Sequence, residues 1–186
     1  MLPNLSDKWG SRLQVLRPST SESARASTRR NALLELKKID SIRVSSSGKG
    51  NNVRYAVEVT VDSTGCSGIS IAASGTTVRI ERELSEFKVL ANELHGVVNS
   101  AHPGQRCEFC SAVLNWFVFG ENPDGLLLCF VSSERVARKL TKFLEDLLAL
   151  TVKYASVDAQ GCCSGHMFMP QVVHKFLVNP PTCDAA

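Results

Sequence analysis

Two hydrophobic periods divide this chain. From about residue 36 to residue 81 the apolar positions favour strands; from residue 85 onward they recur every third or fourth position. The clearest alternation is Val53, Tyr55, Val57, Val59 and Val61, separated by polar or small residues, which predicts a half-buried strand. A first strand is expected from about Leu36 to Ser45, with Ile39, Ile42 and Val44 as its apolar positions. The run Ser45-Ser46-Ser47-Gly48-Lys49-Gly50-Asn51-Asn52 between them has turn chemistry. After a connection over residues 62–68, a third strand is expected from Ile69 to Glu81, interrupted at Ser74-Gly75, with Val78 and Ile80 facing the core. These linkers are too short for helical crossovers, so the strands form an antiparallel meander.

The helical period begins at Ser85, a candidate N-cap, with Glu86 favourably placed in the first turn and Leu84 as a staple just before the cap. Phe87, Leu90, Leu94 and Val97 mark its buried stripe, and Asn99-Ser100-Ala101-His102-Pro103-Gly104 ends it. A shorter helix is expected from Cys107 to about Phe117, then a looser stretch over 119–133 containing a loop at 120–125. Ser132-Ser133-Glu134 opens the strongest helix. Val136, Leu140, Phe143, Leu144, Leu147 and Leu148 form one face, and Arg135, Arg138, Lys139, Lys142 and Glu145 lie off it. A last short helix is expected over Pro170–Leu177, with the proline at an early position. The fold class is α+β: a three-stranded antiparallel meander packed against a helical subdomain of three to four helices.

A length of 186 residues and an apolar content of 44% fit one domain with tails. The organisation expected is a disordered basic Ser/Arg-rich leader over 1–33, a domain over 34–152, and a short helical tail over 153–186. The net charge of +3 is too small to imply nucleic acid, and much of it lies in the leader, in Lys8, Arg12, Arg17, Arg25, Arg29 and Arg30. The polar run over 17–30 has no apolar period and reads as disordered. Trp9, Leu13 and Leu16 share one helical face there and, among basic residues, could graze an anionic membrane. The Arg/Ser-rich, acid-poor composition is also that of a transit peptide. No stretch has the length and apolarity to span a bilayer, and the N-terminus shows no secretory h-region. With seven cysteines, an odd number, the expectation is reduced thiols in the cytosol.

His102-x4-Cys107-x2-Cys110 has metal-ligand spacing, and Cys162, Cys163 and His166 are candidates to complete a four-ligand zinc site. The competing reading is two core thiols beside a loop histidine, because only one C-x2-C pair is present. No nucleophile elbow, phosphate-binding glycine loop or carboxylate pair is found, so no enzyme activity is expected. His95 and His174 read as surface residues, and Cys129 and Cys183 carry no assigned role.

Three segments together resemble one family. Tyr55-Ala56-Val57-Glu58-Val59, Ser85-Glu86-Phe87-x-x-Leu90 and Arg138-Lys139-Leu140-x-x-Phe143-Leu144-x-x-Leu147-Leu148 are similar, in order and spacing, to the Phox-homology (PX) family over about residues 36–152. The divergent, oomycete-type PX-like proteins are the nearest in character. The resemblance implies a non-enzymatic module that binds phosphoinositides and works in membrane targeting or scaffolding, peripherally on endomembranes such as endosomes. It also implies a headgroup pocket in which the family carries an Arg and an aromatic residue. Here Glu83 and Leu84 occupy those positions, and a carboxylate repels a phosphate. The family's proline-rich loop with its lysine is replaced by His102-Pro103-Gly104-Gln105-Arg106. Arg79, Arg82, Arg106, Arg135 and Arg138 remain as candidate headgroup contacts. Two alternatives stand beside this: a protein-interaction module that has lost the lipid, and a small zinc-stabilised domain. No cofactor is expected apart from zinc in the last of these.

Overall fold

Alternation in the second strand sends Tyr55, Val57 and Val59 to one face, where all three are buried. In the computed structural model the described residues are 20–47, 53–62, 76–120, 123, 131–154 and 163–179, with the side chains of 20–23 left aside. They form α1 (Thr20–Leu36), β1 (Ile39–Ser47), β2 (Arg54–Val61), β3 (Thr76–Arg82), α2 (Leu84–Asn99), α3 (Glu108–Phe119), α4 (Ser133–Tyr154) and α5 (Ser164–Val178). The fold is α+β, an open antiparallel sheet in the order β1-β2-β3 with helices packed against it.

Ile39 and Ile42 are three residues apart, an odd separation that would put them on opposite faces of a regular strand. The pairing slips between them: Ile39 opposes Val61 but Ser41 opposes Thr60. This bulge brings Ile39 against the same core as Ile42 and Val44. On edge strand β1 the Val44 amide donates to Thr141 Oγ1 of α4 at 2.9 Å, so the helix satisfies a strand-edge group. The α4 face expected from sequence is the buried one, with Val136, Leu140, Phe143, Leu144 and Leu147 in the core. At the centre is Phe87, fully buried, meeting Tyr55 edge-on at 6.3 Å and Phe176 at 5.2 Å between ring centroids. That one side chain joins sheet, α2 and α5.

At both ends the structure adds helix to the core. From Thr20 the expected leader is helix, and Arg29, Ala32, Leu33 and Leu36 of α1 are buried. Their spacing of three and four residues is a narrow helical stripe. The surrounding serines and arginines dilute it below the level of a compositional signal. Leu36 consequently closes α1 rather than opening β1. The expected tail is likewise part of the core: Met169, Val173 and Leu177 of α5 are at most 1% exposed.

Pro170 lies well inside α5 rather than near its start. An interior proline removes the amide that would bond to the carbonyl four residues earlier. That carbonyl belongs to His166, and it accepts from Arg29 Nε at 2.8 Å. The buried arginine of α1 thus supplies the donor that Pro170 lacks. His174, farther along α5, sits with Nε2 2.7 Å from Glu35 of α1.

Other expectations shift by a residue or two. The buried stripe of α2 is Phe87, Leu90, Ala91, Leu94 and Val98, and Val97 is half-buried. The N-cap of α2 is Glu83, not Ser85, which falls inside the first turn with Leu84 before it. The proposed amphipathic turn at Trp9, Leu13 and Leu16, the strand residues 69–75, most of the 120–125 loop and Cys162 lie outside the described residues. No helix among the described residues is long and apolar enough to cross a membrane.

Candidate functional site

Two places concentrate chemistry: the joint where β3 enters α2, and a cysteine–histidine cluster where α3 and α5 begin. At the joint, Arg82 shares a strand face with Ile80 and is paired in register with Tyr55, so its side chain points inward. It is 6% exposed. One end of the guanidinium bonds Glu86 at 2.8 Å, and the other donates to the Phe176 carbonyl at 2.9 Å and to the carbonyl of Asn179 at 2.5 Å. The guanidinium carbon also lies 4.7 Å from the centre of the Phe176 ring. Arg82 ties β3, α2 and the end of α5 together, and its charge is used inside the chain.

Glu83 is turned outward, with a side chain 57% exposed and 3.5 Å from Arg54. Its amide donates to the Glu86 carboxylate at 2.7 Å, a bond of the capping-box kind. Glu86 therefore binds two neighbours of the joint at once.

The other candidate headgroup residues are placed separately. Arg79 pairs with Glu58 at 3.1 Å on the outer face of the sheet. Arg106 donates to Asn99 Oδ1 at 3.1 Å. Arg135 and Arg138 are exposed on α4, which packs on β1, the edge of the sheet opposite β3.

Beside the joint, α2 and α5 leave a groove of about 490 Å³ between them. Val89, Leu90, Phe168, Val172 and Phe176 give it an apolar floor. Val89 is 63% exposed and Phe168 38%. Glu93 lies on the α2 side and Lys175 on the α5 side. Composition could not reveal the groove, because Val89 reads as one more apolar residue on a helix.

At the second place, the structure brings together His102, Cys107, Cys110 and Cys163, with one ligand atom from each lying within 4.8 Å of all the others. Cys107 is the N-cap of α3 and Cys163 that of α5. The Cys110 amide donates to Cys107 Sγ at 3.5 Å. Burial pushes the Cys107 thiol up, but hydrogen bonds from the Cys110 and Phe109 amides and the neighbouring thiols pull it below its ordinary value. Cys110, fully buried among the same sulfurs, is pushed the other way by burial and by its hydrogen-bonded and charged neighbours.

His166 is not in the cluster. Its ring packs edge-on against Phe109 at 4.2 Å, and burial, then the charges of Arg29 and His102, hold it below the usual imidazole value. Among the described residues the fourth donor of the cluster is Cys163. Its place just ahead of the Ser164 helix start is a signal that a search for a second C-x2-C pair misses. Gly165 was also missed: a Cβ there would come within 2.8 Å of Cys110 Sγ.

No protein-family model, curated protein or solved structure matches this chain.

Proposed function

We propose that this chain is a non-enzymatic, PX-like docking module that takes an amphipathic helix of a partner protein in the groove between α2 and α5. The observation that carries the proposal is Arg82. The cation at the joint is spent on Glu86, the Phe176 carbonyl of α5 and the Asn179 carbonyl just past it, while an apolar groove opens beside it. Two neighbouring helices with a furrow between them offer the seat that a third helix occupies, and apolar anchors at helical spacing fill it. The rim suits a partner with a basic flank toward Glu93 and an acidic flank toward Lys175. Membrane targeting by a phosphoinositide headgroup is the less supported reading, because the positions implied by the PX resemblance are an exposed acid at Glu83 and a half-buried leucine at Leu84.

The test pairs two assays on the whole chain. Labelled model amphipathic helices, with basic, acidic or mixed flanks, are titrated by fluorescence polarisation. Vesicles with and without phosphoinositides are sedimented in parallel. The expected result is preferential binding of the mixed-flank helix, weakened tenfold or more by Val89→Glu, with vesicle binding indifferent to headgroup and lost in salt. Headgroup-selective vesicle binding that survives Val89→Glu, or no binding of any helix by the folded chain, overturns the proposal.

A further inference from the structure

The four donors at His102, Cys107, Cys110 and Cys163 have the spacing of a tetrahedral ion's coordination shell. A zinc–thiolate bond of about 2.3 Å places two sulfurs of one tetrahedron about 3.8 Å apart. Cys107 Sγ and Cys163 Sγ are 3.8 Å apart, and Cys110 Sγ and Cys163 Sγ 3.5 Å. All three cysteines are free of disulfides. Three thiols and an imidazole meeting at one point have little reason to do so as packing alone. A buried thiol is satisfied by apolar neighbours, and a buried imidazole nitrogen is not.

His102 supplies the independent observation. Its Nε2 is buried and has no hydrogen-bond partner among the described residues. An unpaired buried ring nitrogen costs free energy that metal ligation removes.

The local backbone also suits thiolates. Cys107 and Cys163 are the N-cap residues of two different helices, and the Cys107 sulfur accepts from the first turn of α3, where the positive end of the helix favours a thiolate. The Cys110 amide bonds to Cys107 Sγ, the arrangement that lets a C-x2-C turn present two sulfurs to one ion. Gly165 completes the fit. A side chain there would strike Cys110 Sγ at 2.8 Å and approach Cys163 Sγ at 3.6 Å, so glycine lets α5 come close enough to deliver its cysteine.

We infer that His102, Cys107, Cys110 and Cys163 bind one zinc ion, which fastens the start of α5 to α3 and to the loop that follows α2. Four protein ligands leave no open position for substrate, so the site is structural rather than catalytic. It stands independently of the docking proposal, although the helix that it anchors, α5, forms one wall of the groove.

Metal analysis of the reduced, purified chain tests the inference. The expected content is one zinc per chain. Cobalt replacement should give the visible absorption of a tetrahedral thiolate-rich site on wild-type protein, which requires no variant to fold. Cys163→Ser and Cys110→Ser should lose the ion, whereas Cys162→Ser and His166→Ala should keep it. Gly165→Ala should weaken binding at least tenfold by displacing Cys110. Chelation should lower the unfolding midpoint by about 10 °C or more. The inference is overturned by less than about half an equivalent after refolding with zinc under reducing conditions. It is equally overturned if cobalt gives an octahedral spectrum, or if the ion leaves with Cys162→Ser and stays with Cys163→Ser.

Discussion

Replacing Arg82 with alanine should destabilise the chain by about 3–5 kcal/mol, more than expected for any other arginine of the sheet. The side chain is 7% exposed, and its ion-pair partner Glu86 is 31% exposed. The substitution leaves Glu86 without its countercharge, and the Phe176 and Asn179 carbonyls at the end of α5 without their donor. It also opens the space beneath the Phe176 ring. For a chain of this length the midpoint should fall by roughly 10 °C in thermal unfolding. Arg82→Lys should recover only a minor part, because a single ammonium cannot span a carboxylate and two carbonyls as the planar fork does. Arg79→Ala is the control. Its pair with Glu58 lies at the surface, the arginine 57% exposed, and the change should stay within about 0.5 kcal/mol. An Arg82→Ala protein within 1 kcal/mol of wild type would return Arg82 to the pool of cations available to a ligand and remove the main support for the docking proposal.

The second large effect should come from Arg29, and it should depend on a residue in another helix. Arg29→Ala removes the donor to the His166 carbonyl and vacates a site only 2% exposed. The expected loss is about 2–3 kcal/mol. Pro170 created the need for that donor, so Pro170→Ala in the same chain supplies a backbone amide to His166 and should restore about 1 kcal/mol or more. In the wild-type background the same proline replacement should change little, since Arg29 already satisfies the carbonyl. The two substitutions are thus expected to couple, and denaturant titrations of the four proteins in the cycle measure that coupling directly. Arg29 has further partners, and the part of its loss that Pro170→Ala does not recover measures them. Strict additivity would mean that the Arg29–His166 bond is incidental to the proline.

Both residues show why the ends of the domain were hard to see in the sequence. A buried arginine has the same letter as a solvated one, and Arg29 stands in a run rich in serine and arginine. Its burial follows from a carbonyl 137 positions away, which no local pattern carries. Pro170 misleads in the same manner: a proline in a short helical pattern suggests a helix start, and only an acceptable substitute for its missing amide allows it in the interior. The candidate metal cluster was half legible. His102, Cys107 and Cys110 lie within nine residues, and their spacing is itself a signal. The fourth donor comes from 53 residues beyond Cys110, and which of two adjacent cysteines supplies it depends on where α5 begins.

What the sequence determines by itself are the elements whose stabilisation is local or periodic. The alternation through β2, the stripe of α4 and the change from strand to helix after Arg82 all follow from which side chains can share a face. Only the tertiary structure decides how polar groups are spent. Arg82 becomes a structural tie rather than a surface cation, and three cysteines and a histidine meet, because folding brings distant carbonyls, carboxylates and thiols within bonding distance. Hydrophobic burial is close to additive along a chain, whereas a buried charge or thiol takes its role entirely from the partner that reaches it.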